Sequence, residues 1–218
     1  NEGPGTLRNV LNSVNKTKGA TVLFKIGGVI ELKSPIVIKD VSHLSILGQT
    51  APGNGIEIRS IANPTQNFDS TGSSRSMLVF EDSSHVVLRF LRLRCTMPTN
   101  TTITSERMGG VTMWGSQHIV IDHVSIAHCQ TVLFFANCRD LTVRHSLLAE
   151  PKTRLNSDNA YGIHLRDYSG TDVRRHSLAY NVLTHTKTVL WGESLTPAEI
   201  IGNIVYNWRN FGLQLYPS

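Results

Sequence analysis

Residues 118–129 read HIVIDHVSIAHC, and this stretch predicts the fold of the chain. Apolar residues alternate on both sides of a central Asp122-His123 pair. Ile119 and Ile121 precede the pair, and Val124 and Ile126 follow it. Because alternation with a period of two residues is the pattern of a strand, the stretch predicts two short strands joined at a polar corner.

The same phrase occurs along most of the chain. It reads VVLRFLRLRC at 86–95, LTVRHSLLAE at 141–150, SLAYNVLTHT at 177–186 and EIIGNIVYNW at 199–208, and HLSIL at 43–47 can be aligned with its first half. The shortest spacing, from 119 to 141 and from 177 to 199, is 22 residues. A unit of this length with short strands and no helix is typical of one coil of a parallel β-solenoid, whose strands stack about 4.8 Å apart.

The alignment of these phrases also predicts a column of corner residues. It places Asn181 and Asn203 in the column of His123 and His145, with Asn181 over Asn203 as an amide ladder. Short apolar pieces between the phrases predict a third strand for each unit. They lie at 77–80, 111–114, 132–135, 162–165 and 189–191.

Three polar inserts follow the second strand of their units, at 59–76, 96–108 and 151–160. Loops are therefore expected to leave one edge of the solenoid repeatedly and to line a groove. At the beginning of the chain, Leu7, Val10, Leu11 and Val14 have helical spacing. They predict a helix of about three turns that ends at Gly19 and covers the open end of the sheets.

Length and composition favour one domain, with a cap segment at 1–20 and the solenoid at 21–218. An apolar alternation runs up to the last residues, so we expect an excerpt of a longer chain. The net charge of +5 is spread without a block of like charge, which does not favour a nucleic-acid partner. No apolar run reaches 18 residues, so no membrane span is predicted.

Cysteines and sequons point to the compartment. Asn15 and Asn100 each begin an Asn-x-Thr triplet, which suggests glycosylation and an extracellular location. Cys95 and Cys129 fall within one position of each other in adjacent units, so a disulfide is geometrically possible and Cys138 would be left over. The three cysteines lack zinc-ligand spacing, and no metal site is predicted from them.

With these phrases in view, the chain resembles the family 1 pectate lyases. The matching phrases are GPGTLRNVL, GGVIELKSPIVI, ILGQTAPGNGI, VVLRFLRLR, TMWGSQHIVIDHVSIAH, LTVRHSLLAE and IGNIVYNW, in the same order over nearly the whole chain. The resemblance implies an all-β fold, a right-handed parallel β-helix, here with a short N-terminal capping helix. It also implies calcium-dependent β-elimination on polygalacturonate, with carboxylates that hold calcium and an arginine that removes a proton.

The residues at the matching positions do not carry that chemistry. The acidic positions of the resembling enzymes fall on Gly109, Gln130 and Phe134, and the basic run falls on residues 189–192, VLWG. None of these side chains is a carboxylate for calcium or a base for the proton. The sequence therefore predicts no catalytic residue, with Lys187 the nearest candidate, and no cofactor, calcium being required only if the lyase activity persists.

A second constellation suggests sugar binding. Trp114, His164, Arg166, Lys187 and Trp191 are expected on one sheet, where they could form an aromatic and cationic platform for a glycan. Packing of both tryptophans against loops is the competing interpretation. Asp122 and His123 are interpreted as a structural corner whose polar atoms are satisfied by neighbouring backbone groups.

Three hypotheses for function remain open. The first is a non-catalytic extracellular β-helix that binds an acidic polysaccharide or another glycan, or self-assembles through coil ends or loops. The second is an active calcium-dependent polysaccharide lyase with relocated catalytic groups. The third is a glycoside hydrolase on the same scaffold, which would need two suitably spaced carboxyl groups.

Overall fold

The protein forms seven coils of three strands each in a computed structural model. The structure describes residues 3–14, 16, 18–60, 76–96, 109–151, 160–168, 175–193 and 198–216. Each strand pairs in parallel with the equivalent strand of the next coil, so the coils stack into three parallel sheets. The expected parallel β-helix is confirmed.

Three sheets run along the solenoid, and each takes one strand from every coil. Sheet 1 contains β1 (Ala20–Leu23), β4 (Ser42–Leu47), β7 (Ser84–Arg89), β10 (Gln117–Asp122), β13 (Arg139–Arg144), β16 (His176–Ala179) and β19 (Ala198–Ile201). Sheet 2 contains β2 (Gly28–Leu32), β5 (Ile56–Ser60), β8 (Leu91–Arg94), β11 (Ser125–Ala127), β14 (Leu147–Ala149), β17 (Val182–Thr184) and β20 (Ile204–Tyr206). Sheet 3 contains β3 (Ile36–Lys39), β6 (Ser76–Glu81), β9 (Gly109–Trp114), β12 (Thr131–Ala136), β15 (Tyr161–Arg166), β18 (Thr188–Glu193) and β21 (Phe211–Tyr216). A 3-10 turn, Gly48–Thr50, follows β4.

A short helix, α1 (Leu7–Asn12), packs its buried Leu7 and Leu11 onto the hydrophobic core. The expected helix of about three turns is therefore too long. The Ser13 hydroxyl donates to the carbonyl of Val10 at 2.8 Å, and the Ser13 amide donates to the carbonyls of Asn9 and Val10. A serine that bonds locally to backbone groups in this way competes with continuation of the helix.

The corners between strands use the left-handed backbone region. Seven of the nine histidines have positive φ: His43, His85, His118, His123, His128, His145 and His185. Among residues with a side chain, asparagine, aspartate and histidine tolerate this region best, which explains why polar residues recur at the corners. Stacking of equivalent corners places His43 on His85 with ring centroids 4.3 Å apart.

The predicted register is wrong by one residue in the last two coils. Leu141 pairs with His176 rather than with Ser177, so Tyr180 and not Asn181 follows His145 in the corner column. His176 is a buried polar residue in an inward position, and this breaks the apolar pattern on which the alignment depended.

The amide ladder itself is present one position further along. Asn181 Nδ2 donates to Asn203 Oδ1 at 3.0 Å and to the carbonyl of Val143 at 2.8 Å. The Asn181 side-chain oxygen accepts from the amide of Ser146 at 3.0 Å. The ladder thus satisfies backbone groups buried at the corner between sheets 1 and 2.

The positions that face the core in each sheet continue into the last described coil, but the side chains at these positions are exposed there. Leu190 in β18 is 3% exposed, whereas Leu213, its partner in β21, is 50% exposed. The regions predicted as inserts fall largely outside the described residues. Their flanking strands show that each connects sheet 2 to sheet 3, at the same edge of sheet 3.

Candidate functional site

The outer face of sheet 3 carries most of the residues predicted for a sugar platform. In β12 and β15 the fourth residue is partly exposed and the fifth is buried in the core. His164 pairs with Trp191 and with Phe134 in one outward row. Trp114 and Arg166 both pair with Ala136 in the next outward row.

The rings on this face contact one another across five coils. Centroid distances run from 4.8 Å for Tyr161 and His164 to 6.5 Å for Trp114 and Phe134. We call this surface the aromatic face; its members are Trp114, Phe134, Tyr161, His164, Arg166, Tyr168, Trp191 and Tyr216. Aromatic side chains that are partly exposed and held by neighbouring rings are suited to binding the apolar face of a sugar ring.

A stack of three groups forms one edge of the aromatic face. The Tyr168 ring lies 5.4 Å from Trp114 at an interplanar angle of 21°, and the Arg166 guanidinium lies 4.8 Å from the centre of the same ring. The side-chain oxygen of Asn137 accepts from the Tyr168 amide at 2.8 Å. Since Ala136 lies in register between Trp114 and Arg166, its small side chain leaves room for the ring above it.

Lys187 lies away from the tryptophans. It is half-buried in the turn that precedes β18, four residues before Trp191, so the two positions are about 13 Å apart along an extended chain. Its carbonyl accepts from the amide of Asn210 at 2.9 Å. Lys187 therefore lies at the end of the face opposite to the Trp191 row.

The positions that align with calcium ligands do not fit this ion. A side chain at Gly109 would collide with the hydroxyl of Ser76, which is hydrogen-bonded to Thr112 at 2.6 Å. Phe134 presents a ring that contacts His164 edge-on at 5.0 Å. Because calcium takes six to eight oxygen ligands, an apolar ring and a crowded glycine cannot hold it.

Gln130 also differs from an acidic ligand. It is 2% exposed, and its side-chain oxygen has no hydrogen-bond partner among the described residues. Residues 189–192 align with the basic run of the resembling enzymes. Val189 and Leu190 are buried and Gly192 carries no side chain, which leaves Trp191 as the group that points outward. Sheet 3 therefore presents rings at positions where the resembling enzymes present charged groups.

The Asp122 carboxylate lies at the corner between sheets 1 and 2 and is 1% exposed. Its oxygens contact the Arg89 guanidinium at 2.8 Å and that of Arg144 at 3.3 Å, and the Nδ1 atoms of His123 and His145 at 2.7 and 3.3 Å. The expectation that backbone groups satisfy this residue is wrong, because its partners are side chains from three successive coils. Burial alone would raise its pKa, but hydrogen bonds from His123, His145 and Arg144 outweigh burial and lower the pKa to about 2.

The same corner is the one place in the described ranges where three potential metal ligands converge. Ligand atoms of Asp122, His123 and His145 lie within 4.8 Å of one another. Two guanidinium groups already contact the carboxylate, and their positive charge opposes a cation there. The cluster is better explained as an ion-paired network that ties three coils together.

The disulfide and the predicted glycosylation sites bear on the cellular compartment of the protein. Cys95 and Cys129 form a disulfide between adjacent coils, with Cα atoms 4.9 Å apart. The Cys138 thiol is buried and donates to the carbonyl of Met113 at 3.3 Å. The predicted glycosylation sites, Asn15 and Asn100, lie outside the described residues. No helix in the described part of the chain has the length and apolar character needed to cross a bilayer.

Three stacked parallel sheets with short corners define a parallel β-helix. The chain is similar to proteins named probable pectate lyase C from Aspergillus flavus, Aspergillus oryzae and Neosartorya fischeri, each 26% identical over 212 residues. The match covers 96% of this chain but only 42% of each relative. The resemblance to pectate lyases is thereby confirmed, and no protein-family model matches the chain.

The fold has a solved counterpart. The crystal structure of Jun a 1, the major allergen from cedar pollen, superposes with a TM-score of 0.52 at 14% identity. The superposition covers 100% of this chain and 77% of the allergen. At this identity the likeness concerns the fold alone.

Sequence reasoning missed several residues of the aromatic face. Phe134 occupies an outward position of an aligned third strand, and counting outward positions would have found it. Tyr161 is the first residue of β15 and precedes the apolar piece predicted at 162–165. Tyr168 lies beyond the end of β15 and reaches the face because Asn137 in the preceding coil holds its amide. That contact depends on the stacking of coils and leaves no local signal in the sequence.

Proposed function

We propose that this protein is an extracellular β-helix that binds a glycan, with an acidic polysaccharide first among the candidates, and that it does not carry out the lyase reaction. The observation that carries the proposal is the aromatic face, in which Phe134 and Trp191 stand at positions that the resembling enzymes use for charged groups. The relatives named pectate lyase support a polysaccharide ligand. Arg166, at the edge of the face, supports an acidic one.

The aromatic face also explains how binding can persist without catalysis. Stacking of a sugar ring on an aromatic side chain requires exposed ring surface and no ionisable group. The base and the calcium ligands are separate requirements, and Gly109, Gln130 and Phe134 offer no carboxylate for calcium. The disulfide supports an oxidising, extracellular compartment, because such bonds are rare in the cytosol.

Binding to polygalacturonate is expected to weaken about tenfold in Trp191→Ala, because a central interface tryptophan contributes more than about 1 kcal/mol. The same is expected for Trp114→Ala. Trp208→Ala is the matched control, since Trp208 is exposed but lies in the turn between β20 and β21. Affinity electrophoresis in gels with the polysaccharide measures the effect, and equal retardation of all three variants would remove the aromatic face as the binding surface.

A further inference from the structure

A groove lies at the corner between sheets 1 and 2, on a different side of the coil from the aromatic face. It has a volume of about 470 Å³, which is the size of a small-molecule site. One side is the turn at residues 48–55, and the other is formed by the next three coils. Phe90 and Leu147 line it and are 39% and 41% exposed.

Among the described residues, the ionisable side chains that line the groove are one arginine and two histidines. Arg92 lies on its sheet 2 side, and His123 and His145 lie along its corner side. The closest acidic group to Arg92 is Glu57, whose carboxylate is 4.0 Å from Arg92 Nε and is ion-paired with Arg59 at 2.6 Å. The groove thus combines apolar surface with positive charge.

The two imidazoles are held in a fixed orientation. Their Nδ1 atoms point to the buried Asp122 carboxylate, so the opposite ring edges, which carry Nε2, lie on the solvent side. Arg89 and Arg144 contact the same carboxylate and neutralise it. On either side of the pair the rings of Phe90 and Tyr180 continue the stack, at 4.7 and 5.7 Å. Asp122 is therefore unable to repel an anion in the groove.

We infer that this groove binds a small organic anion, a carboxylate or sulfate group carried on a ring. Arg92 contacts the anionic group, and the apolar surface of Phe90 and Leu147 packs against the ring. The outward ring edges of His123 and His145 face the anion along the corner side of the groove. The site is independent of the aromatic face and of the proposed glycan ligand.

The test is a titration with glucuronate, followed by calorimetry and by the imidazole proton signals in NMR spectra. Glucose is the uncharged control, and sulfate tests the anionic group alone. Saturable binding of glucuronate but not of glucose is expected, because Arg92 pairs with the carboxylate and glucose carries no charge. Absence of saturation up to about 10 mM glucuronate overturns the inference.

Two variants locate the binding site. Arg92→Gln and Leu147→Glu are each expected to weaken glucuronate binding at least tenfold, the first by removing a positive charge and the second by adding a negative one. Their matched controls are Arg59→Gln, on the same sheet and similarly exposed, and Val182→Glu, which pairs with Leu147 in the next coil and does not line the groove. Equal binding by variants and controls overturns the assignment. Because Leu147 is exposed, Leu147→Glu remains informative even if Arg92→Gln disturbs the turn that Arg92 contacts through the carbonyl of Asn54.

Discussion

Replacing Asp122 by asparagine is expected to lower the free energy of unfolding by about 3 kcal/mol, since loss of one partner leaves the others of a buried network uncompensated. The carboxylate contacts Arg89, Arg144 and two histidines from three coils. Urea denaturation at neutral pH measures the loss. Asp140→Asn is the control: Asp140 is more exposed, and its pairs with His118 and Arg175 lie at the surface, so a loss of at most about 1 kcal/mol is expected.

The same carboxylate has a signature in the pH dependence of stability. Its pKa in the folded protein is about 2, below the ordinary value of 3.8, so the folded state favours the ionised form. The resulting stabilisation, about 2 kcal/mol, is complete above about pH 5 and is lost as the pH falls towards 2. Asp122→Asn should lack this part of the acid destabilisation. The ion-paired network would be contradicted if the difference in free energy of unfolding between the wild-type protein and Asp122→Asn stayed constant between pH 5 and pH 2.

Removal of the disulfide, by replacing Cys95 and Cys129 with alanine, is expected to cost about 3 kcal/mol. The two cysteines are 34 residues apart in sequence, and the bond therefore closes a long loop of the unfolded chain. A reducing agent should lower the melting temperature of the wild-type protein and leave that of the double variant unchanged.

Cys138→Ala is the control for that double variant. Its thiol is buried in the core, so the replacement costs packing, about 1 kcal/mol, without changing sensitivity to the reducing agent. If the reducing agent lowers the melting temperature of the double variant as much as that of the wild-type protein, the bond between Cys95 and Cys129 is not the one that it breaks.

The fold could be predicted because its signals are local and repeated. Ile119 and Ile121 mark an inward alternation, and the same alternation at 22-residue spacing predicts stacked parallel strands. The predicted strand register is wrong where a buried polar residue, His176, occupies an inward position and hides the apolar alternation. The helix was predicted too long because Ser13 bonds to the last turn, which helical spacing alone does not reveal.

The candidate site was only partly predictable. Trp114, His164 and Trp191 could be placed on one face, since each belongs to an apolar piece aligned as a third strand. The partners of Asp122 could not be identified, because Arg89 and Arg144 approach it only once three coils are stacked in the correct register. Sequence alignment of the phrases shows which strands are neighbours, but not which side chains turn towards each other at a corner.

We propose above all that the chain binds acidic polysaccharide without cleaving it. The most direct measurement is the ultraviolet absorbance of unsaturated product, recorded while the purified protein is incubated with polygalacturonate and calcium, with binding measured on the same sample. We expect retention of the polysaccharide and no absorbance increase above that of a sample without protein. A calcium-dependent increase in absorbance, proportional to the protein concentration, would contradict it.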